Sequence, residues 1–206
     1  MTLQKMNRYS VIAIMLHWLI AVIIAAQLFL GLWMVDAIRQ PASRVLALQA
    51  YQWHKSLGLT LLILSLMRLL WRLFNPPPSL PESMSRLEKL AAHAVHWLFY
   101  ALMIGIPLLG WAMVSAAPFA VPVRVFGVFQ WPHFPWVRAL DNKAMLGTVL
   151  QLSHRYVAYF LILLVGLHAA AALKHHFFSR DNVLARMIPW IRTGRTQIGS
   201  RREPKP

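Results

Sequence analysis

The segment "LHWLIAVIIAAQLFLGLW" (residues 16–33) lies within a longer run, Val11–Val35, that contains no Asp, Glu, Lys or Arg. An α-helix needs about 20 predominantly apolar residues to cross the hydrocarbon core of a bilayer. Two further runs, Leu90–Val123 and Tyr156–Leu173, also lack these charged residues. Hydrophobic residues make up 58% of the 206-residue chain, and a water-soluble domain of this size has too little interior to bury such runs. The three runs are therefore predicted to span a membrane.

A fourth segment, Tyr51–Arg72, is a weaker candidate because its charge-free centre extends only over Ser56–Met67. Lys55 flanks this centre on one side, and Arg68 and Arg72 flank it on the other. Long basic side chains can extend from a spanning helix to the nearest membrane interface. The segment is therefore predicted to be a spanning helix as well.

The sequence thus predicts an all-α integral membrane protein, a four-helix bundle with helices at about residues 10–35, 51–72, 92–115 and 148–174. Tryptophans lie near both ends of three of these segments, as is typical of interfacial anchors. Residues 1–190 are expected to form one transmembrane domain, followed by a basic tail over residues 191–206. Lys5 and Arg8 also allow a signal peptide, but the apolar run is too long for one and no clear cleavage site follows.

The Lys and Arg residues that give the chain its net charge of +15 are divided unequally between the two sides of the predicted bundle. Fourteen of the 21 Lys and Arg residues fall on the side of the predicted bundle that carries both termini, and seven fall on the other side. The excess of bases on cytoplasmic loops predicts that both termini are cytoplasmic. The tail Arg192–Lys205 is expected to lie on anionic lipid headgroups, so membrane lipid is a predicted partner and nucleic acid is not.

The connecting segments differ in character. A short outer loop is expected over residues 36–50, and a Pro-rich inner loop leads to an amphipathic helix start after Ser83 or Ser85. The outer segment 116–147 is too apolar for a free loop and is expected to lie across the top of the bundle. Pro107 lies inside the third helix, where a proline can kink it.

The histidines are placed near the ends of the predicted helices, at two depths. The spacing between His154 and His168 on the last helix corresponds to about 21 Å along the axis and to one face within roughly 40°. The facing partners are His54 near the outer end, and His17 or His96 near the inner end. A faint repeat supports this placement, since the first and third helices each carry a His-Trp pair followed by a Gly at the same spacing, His17 to Gly31 and His96 to Gly110.

Two stacked histidine pairs across a four-helix bundle are typical of two bis-histidine haems, which transfer electrons rather than bind oxygen. The chain has no cysteine, so thiolate-held iron–sulfur clusters and covalently attached haem are excluded. A proton or metal transporter is a second hypothesis, but the chain lacks the carboxylate groups that it would need, because no acidic residue lies within a predicted span. Lys55 and Arg155 directly follow outer histidines and can pair with haem propionates. The position of Lys55 is equally explained by extension of its side chain to the membrane interface.

Four segments resemble the bacterial cytochrome b561 family, the di-haem membrane cytochromes related to the cytochrome b subunits of hydrogenases. They are "RYSVIAIMLHWL" (8–19), "WHKSLGL" (53–59), "HAVHWLFYALMIGIPLLGW" (93–111) and "GLHAAAALKHHFFSRDNVLARMIP" (166–189). The resemblance implies two haem b groups in the bacterial inner membrane. It implies His17 and His168 as ligands of the inner haem iron, and His54 and His154 as ligands of the outer haem iron.

The resemblance also implies a quinone site at the inner end, formed by His96 and His175. Headgroup-solvated histidines remain the alternative for these two positions. No role is assigned to His176, and His133 is expected to lie on the surface.

Family members with this pattern resemble superoxide oxidases, in which superoxide is the donor and ubiquinone the electron acceptor. Lys55, Arg124, Arg138, Lys143 and Arg155 would attract the anion to the outer surface, with Lys55 and Arg155 closest to the reaction. The alternative function is a haem b anchor subunit that passes electrons between a periplasmic redox protein and quinone. Such a subunit should expose a docking patch on the segment 116–147.

Overall fold

The computed structural model describes residues 8–119 and 121–188 of the chain. The described elements, in chain order, are α1 (Val11–Ala37), α2 (Arg44–Phe74), α3 (Arg86–Ala116), β1 (Val123–Val125), β2 (Phe129–Trp131), α4 (Pro135–Arg138) and α5 (Ala144–Lys174). Short turns of 3-10 helix cover Pro41–Ser43 and Leu184–Arg186, and a π-helical turn, His175–Ser179, extends α5. The predicted tail 191–206 lies outside the described residues.

The four long helices, α1, α2, α3 and α5, are each long and apolar enough to cross a membrane. The number and order of the predicted spans are therefore confirmed. Three of the predicted starts were too late, because α2 begins at Arg44, α3 at Arg86 and α5 at Ala144. The prediction of a loop over residues 36–50 was wrong for its second half, because α2 already begins at Arg44, well before its charge-free centre.

Two serines define where helices begin. The Ser10 hydroxyl accepts a hydrogen bond from the Ala13 amide at the start of α1. Ser85 and Glu88 form a reciprocal capping box at the start of α3, which satisfies amide groups that have no partner inside the helix. The second of the two predicted start positions for the third helix, Ser85, is therefore confirmed.

The helices pack as two antiparallel pairs, α1 with α2 and α3 with α5, which are joined through contacts between α2 and α3. The central core is apolar and draws on all four helices; its buried members are Ile20, Ile23, Ile24, Leu61, Tyr100, Leu102, Met103, Leu161 and Leu164. Many other large apolar side chains point outward, as lipid contact requires. We call the end of the bundle with Ser10 and Lys174 the inner end, and the opposite end the outer end.

The outer segment adds a small antiparallel hairpin to the helical bundle, which corrects the all-α expectation. β1 pairs with β2 in the register Val123 with Trp131 and Val125 with Phe129. The turn between them has positive φ at Phe126 and Gly127, and glycine adopts this conformation without steric cost.

The hairpin is attached to the outer part of α2, as the apolar character of segment 116–147 predicts. Val123 and Val125 are buried against Leu59. The buried Ser56 hydroxyl accepts from the Phe126 amide at 3.0 Å, and its one hydrogen lies between two acceptors, the Gln52 carbonyl of the same helix at 2.9 Å and the Arg124 carbonyl at 3.2 Å. The segment therefore covers the part of α2 that carries His54.

The remainder of the outer segment is attached to α3. The Ser115 hydroxyl accepts a hydrogen bond from the Phe134 amide at 3.0 Å, and the Trp111 indole donates to the Pro132 carbonyl at 2.8 Å. The Trp111 and Phe134 rings also stack, with centroids 3.8 Å apart. The outer segment thus bridges α2 and α3 across the outer end of the bundle.

Candidate functional site

The outer end of the bundle brings two histidines face to face. The His54 ring on α2 and the His154 ring on α5 have centroids 6.2 Å apart, with planes inclined by 71°. Both side chains are half-buried, between the core and the outer segment. The structure therefore places the two predicted outer residues together.

The inner end brings three histidines together around α5. The His168 ring lies 6.3 Å from the ring of His17 on α1 and 5.7 Å from the ring of His96 on α3. Phe99 packs edge-on against the same imidazole at 5.2 Å. His168 thus has two candidate partners, as the two options left open by helix depth predict.

The separation of the paired rings fits a metal held between two imidazoles. A metal about 2 Å from one nitrogen of each imidazole separates the ring centroids by roughly 6 Å. The His54–His154 and His17–His168 pairs lie 6.2 and 6.3 Å apart. Within the described residues, no group of three or more His, Asp or Glu side chains is arranged to hold a bare metal ion. These pairs would fit a haem iron, which two histidines would hold and which would supply one-electron redox chemistry.

A hydrogen bond at the second ring nitrogen fits this use at His154, whereas His54 Nδ1 is enclosed without a hydrogen-bond partner. His154 Nδ1 lies 3.1 Å from the Ile106 carbonyl oxygen, so that an N–H at Nδ1 donates to it and Nε2 keeps a free lone pair. Metal-binding histidines commonly make such a bond. His96 Nδ1 lies 2.6 Å from the Ala92 carbonyl in the same manner. The His54 main-chain carbonyl accepts from the Gln27 amide at 2.9 Å, which fixes α1 against α2 at this level.

Two glycines allow the outer histidines to lie against neighbouring helices. A Cβ atom at Gly31 on α1 would be 3.3 Å from His54 Cε1. A Cβ atom at Gly110 on α3 would be 3.2 Å from His154 Cε1. These are the two glycines that follow a His-Trp pair at equal spacing in the sequence. The faint sequence repeat therefore corresponds to equivalent packing in the two helix pairs.

The inner end contains a buried histidine–carboxylate pair. His175 lies on the π-helical turn that follows α5, and its Nδ1 is 2.6 Å from Asp181 Oδ2. The other carboxylate oxygen, Oδ1, accepts from the Val183 amide at 3.0 Å. In the described ring contacts, His96 meets His168 and not His175. Asp181 was missed by the sequence analysis, because only the turn at the end of α5 brings it to His175.

The two basic residues that follow the outer histidines lie in different surroundings. Lys55 is half-buried, and its Nζ lies 3.4 Å from the Pro122 carbonyl of the outer segment. Arg155 is exposed on α5. Arg124 is also exposed on the hairpin. The outer surface near the His54–His154 pair therefore carries several cations.

His133 is not a plain surface residue, which corrects the prediction. The side chain is half-buried, and both ring nitrogens are enclosed without a hydrogen-bond partner among the described residues. Burial lowers the pKa of His133, and the positive charges of Arg138 and Lys55 lower it further. The imidazole is therefore neutral at pH 7.

The chain is similar to known proteins over most of its length. The family model described as prokaryotic cytochrome b561 matches residues 8–190. Cytochrome b561 homolog 2 of Escherichia coli K12 is 34% identical over 88% of this chain and 92% of its own length. The probable superoxide oxidase CybB of Yersinia pestis is 30% identical over 89% of this chain and 97% of its own length. Cytochrome b561 homolog 1 of E. coli K12 is 28% identical, over 89% and 98%.

Proposed function

The chain belongs to the prokaryotic cytochrome b561 family, and from this membership we propose that it carries electrons from superoxide to quinone through two haem b groups. As a family member with four helices able to span a bilayer, it is a multi-pass protein of the bacterial inner membrane that binds haem b. The observation that carries the proposal is the presence of two imidazole pairs, at opposite ends of one bundle, with nearly equal ring separations.

In this proposal His54 and His154 hold the outer haem, and His17 and His168 hold the inner one. The choice of His17 over His96 is supported by the ring separation of 6.3 Å, which matches the 6.2 Å of the outer pair. Haem bound in this manner supplies one-electron redox chemistry without an open coordination position. His154 and His168 lie on one helix, about 21 Å apart along its axis, which covers most of the membrane.

The outer surface favours an anionic donor. Lys55 and Arg155 directly follow the two outer histidines in the sequence, and Arg124 and Arg138 lie in the outer segment. A cluster of cations raises the local concentration of a small anion and its rate of encounter. One relative is named a probable superoxide oxidase. Superoxide is therefore the proposed donor, and Lys55, tethered to the outer segment beside His54, is the proposed residue that guides it.

The inner end is the proposed site of quinone reduction. Two superoxide ions release two electrons and two O₂ molecules, and one quinone takes up these electrons with two protons to form quinol. His96, which is free of iron in this assignment, and His175 are the proposed proton carriers, each taking a proton from water at Nε2 and passing it to the quinone. Asp181 accepts a hydrogen bond from His175 Nδ1, so Nε2 is the nitrogen left to exchange this proton.

The orientation of the bundle is proposed from the distribution of bases, with both termini on the cytoplasmic side. The chain has no native cysteine, so a single introduced thiol reports the side on which it lies. A membrane-impermeant maleimide should label Val128→Cys in intact spheroplasts, and Glu82→Cys only after permeabilisation. The opposite labelling pattern would invert the topology.

A second candidate function is that of a membrane anchor for a periplasmic redox protein. It is favoured by the large apolar side chains that the outer segment exposes, among them Phe119 (84%), Val128 (82%) and Trp136 (68%). Exposed apolar patches of this kind often mark interaction sites. An anchor subunit copurifies with its partner and needs that partner to be reduced.

The two candidates are separated by an assay on the purified protein alone. Superoxide generated by xanthine oxidase should reduce the haem within the mixing time, and superoxide dismutase should abolish the reduction. Added ubiquinone should then reoxidise the haem. If the haem stays oxidised in the superoxide flux but is reduced by dithionite, the superoxide proposal fails and the anchor function is favoured.

A further inference from the structure

Each long helix carries an outer and an inner position at the same spacing along the sequence. The pairs are Gly31 and His17 on α1, His54 and Arg68 on α2, Gly110 and His96 on α3, and His154 and His168 on α5. The two positions of each pair lie about 21 Å apart along the helix and within roughly 40° of one face. Arg68 therefore takes the position on α2 that the proposed iron ligand His168 takes on α5.

Arg68 faces the inside of the bundle, which corrects the prediction that it extends to the interface. Its side chain is half-buried, and Nη1 donates a hydrogen bond to the Ala13 carbonyl of α1 at 2.6 Å. Its charge lies within electrostatic range of His17, His96 and His168. It also interacts with the hydroxyl of Tyr100, a residue that is 5% exposed.

This guanidinium has no anionic partner in the part of the chain that the structure describes. The ion pairs found there join Asp36 to Arg39, Glu88 to Lys174 and Asp181 to His175. A charge at membrane depth is costly without an opposite charge, and such residues usually mark a functional site. The position of Arg68 therefore calls for an anion supplied by a ligand.

A small cleft beside Arg68 offers cationic and hydroxyl groups to such an anion. It is open on one side, with Tyr9, Trp71, Arg72 and Tyr100 among the residues that line it. Arg72 lies over the Trp97 and Tyr100 rings, 5.6 and 5.8 Å from their centroids, which holds a second guanidinium at the rim. Burial raises the pKa of Tyr9, so its phenol remains a hydrogen-bond donor at neutral pH.

We propose that Arg68 is the counter-ion of a propionate carboxylate of the inner haem, with the cleft as its binding place. This inference rests on the proposed function, since it requires a haem at the His17–His168 pair. Arg68 acts as a positioning residue that orients the haem and raises its midpoint potential, because a nearby positive charge favours the reduced form. A higher inner potential draws electrons from the outer to the inner end.

The test is an optical redox titration of the purified holoprotein carrying Arg68→Gln, Arg68→Lys or Arg86→Gln. R68Q removes the charge and should lower the equilibrium constant for reduction of one haem about tenfold. This is a fall in its midpoint potential of about 59 mV for one electron, and the potential of the other haem should not change. R68K keeps the charge and should retain most of the potential. R86Q removes an exposed charge from the same end and should match the wild type.

A second comparison identifies the anion. Wild-type and R68Q proteins are depleted of haem and reloaded with haem or with its dimethyl ester, which has no carboxylate. R68Q should take up haem at the inner site more weakly than the wild type, whereas the two proteins should take up the ester equally, because the ester has no carboxylate for Arg68 to pair with. Weaker uptake of both haem and ester by R68Q would assign Arg68 to another anion, such as a lipid phosphate, and overturn the proposal.

The outcomes keep this inference separate from the proposed function. A wild-type protein without two haems contradicts the proposed function itself. Two haems together with identical titrations of R68Q and R86Q contradict only the role of Arg68. Loss of one haem from R68Q but not from R68K supports the role, and equal loss from both variants contradicts it.

Discussion

At Gly31 and Gly110 the absence of a side chain lets the outer histidines approach the neighbouring helices closely. Gly110 leaves no room for a methyl group, since a Cβ there would lie 3.2 Å from His154 Cε1 and 3.4 Å from Nδ1. Gly105, less than two turns earlier on the same helix, would meet nothing within 4 Å. The two positions therefore separate packing against the histidine from the general effect of glycine in a helix.

Gly110→Ala should weaken outer haem binding, because the new methyl group displaces the His154 ring by a few tenths of an ångström and disturbs its bond to Ile106. We expect a haem content below that of the wild type and a shifted electron paramagnetic resonance signal of one haem. Gly105→Ala should retain both haems and gain up to about 1 kcal/mol of stability from helix propensity. Equal spectra for the two variants would contradict the packing argument.

The proposed role of Asp181 rests on its contact with the His175 ring. Asp181→Asn keeps the shape but removes the carboxylate that receives the His175 Nδ1 hydrogen, so the imidazole loses its fixed tautomer and its partner for the positive form. We expect quinone reduction to slow by about tenfold or more, with unchanged haem spectra and unchanged reduction by superoxide. Stopped-flow reoxidation of the haem by ubiquinone measures this directly.

The control for this variant is Asp141→Asn, which removes a carboxylate exposed at the outer end. It should reoxidise at the wild-type rate. If D181N also reoxidises at the wild-type rate, His175 does not depend on Asp181 and the proposed proton path is wrong.

At the scale of the elements, the hairpin of the outer segment depends on one buried serine in a spanning helix. The Ser56 hydroxyl on α2 accepts from the Phe126 amide and reaches the Arg124 carbonyl. Ser65, two and a half turns further along the same helix, is equally buried but has a hydroxyl without a described partner. Only the first of the two hydroxyls connects separate elements.

Ser56→Ala should loosen the hairpin, because the Phe126 amide loses its acceptor and the Arg124 carbonyl loses a donor, at a cost of about 1–3 kcal/mol. Hydrogen exchange of residues 123–131 should accelerate by tenfold or more, with the four long helices unaffected. Ser65→Ala should leave the exchange unchanged, since it removes only an unpaired hydroxyl. Unchanged protection of the hairpin in S56A would contradict the anchoring role.

The elements also differ in how well the sequence predicts them. Membrane-length apolar runs and the Ser85 capping box are local patterns, so the four spans and the start of α3 could be predicted. The start of α2 could not, because polar residues between Gln52 and Lys55 separate residues 44–50 from the charge-free centre of the span. The hairpin was missed because its strands have three residues each and are held by tertiary contacts with Ser56 and Leu59.

For the whole molecule, the depth of each histidine along its helix predicts which histidines lie near one another in the candidate site. Equal spacing along the helices places imidazoles at both ends, and the structure brings His54 to His154 and His168 to His17 and His96. Helix periodicity does not distinguish His17 from His96, since both face α5. Asp181 carries no signal in the sequence, because only the turn after α5 brings it to His175. Arg68 was missed although a signal exists, since the spacing between His154 and His168, applied to α2 from His54, leads to it.

The central claim is that one bundle holds two haems between two histidine pairs, and the haem-to-protein ratio tests it most directly. The pyridine haemochrome method on the purified wild type should give two b-type haems per chain. His54→Ala and His154→Ala should each give one, as should His168→Ala, whereas the exposed His93→Ala on α3 should keep two. A wild-type ratio of one or zero, or an unchanged ratio in all three ligand variants, would contradict the claim.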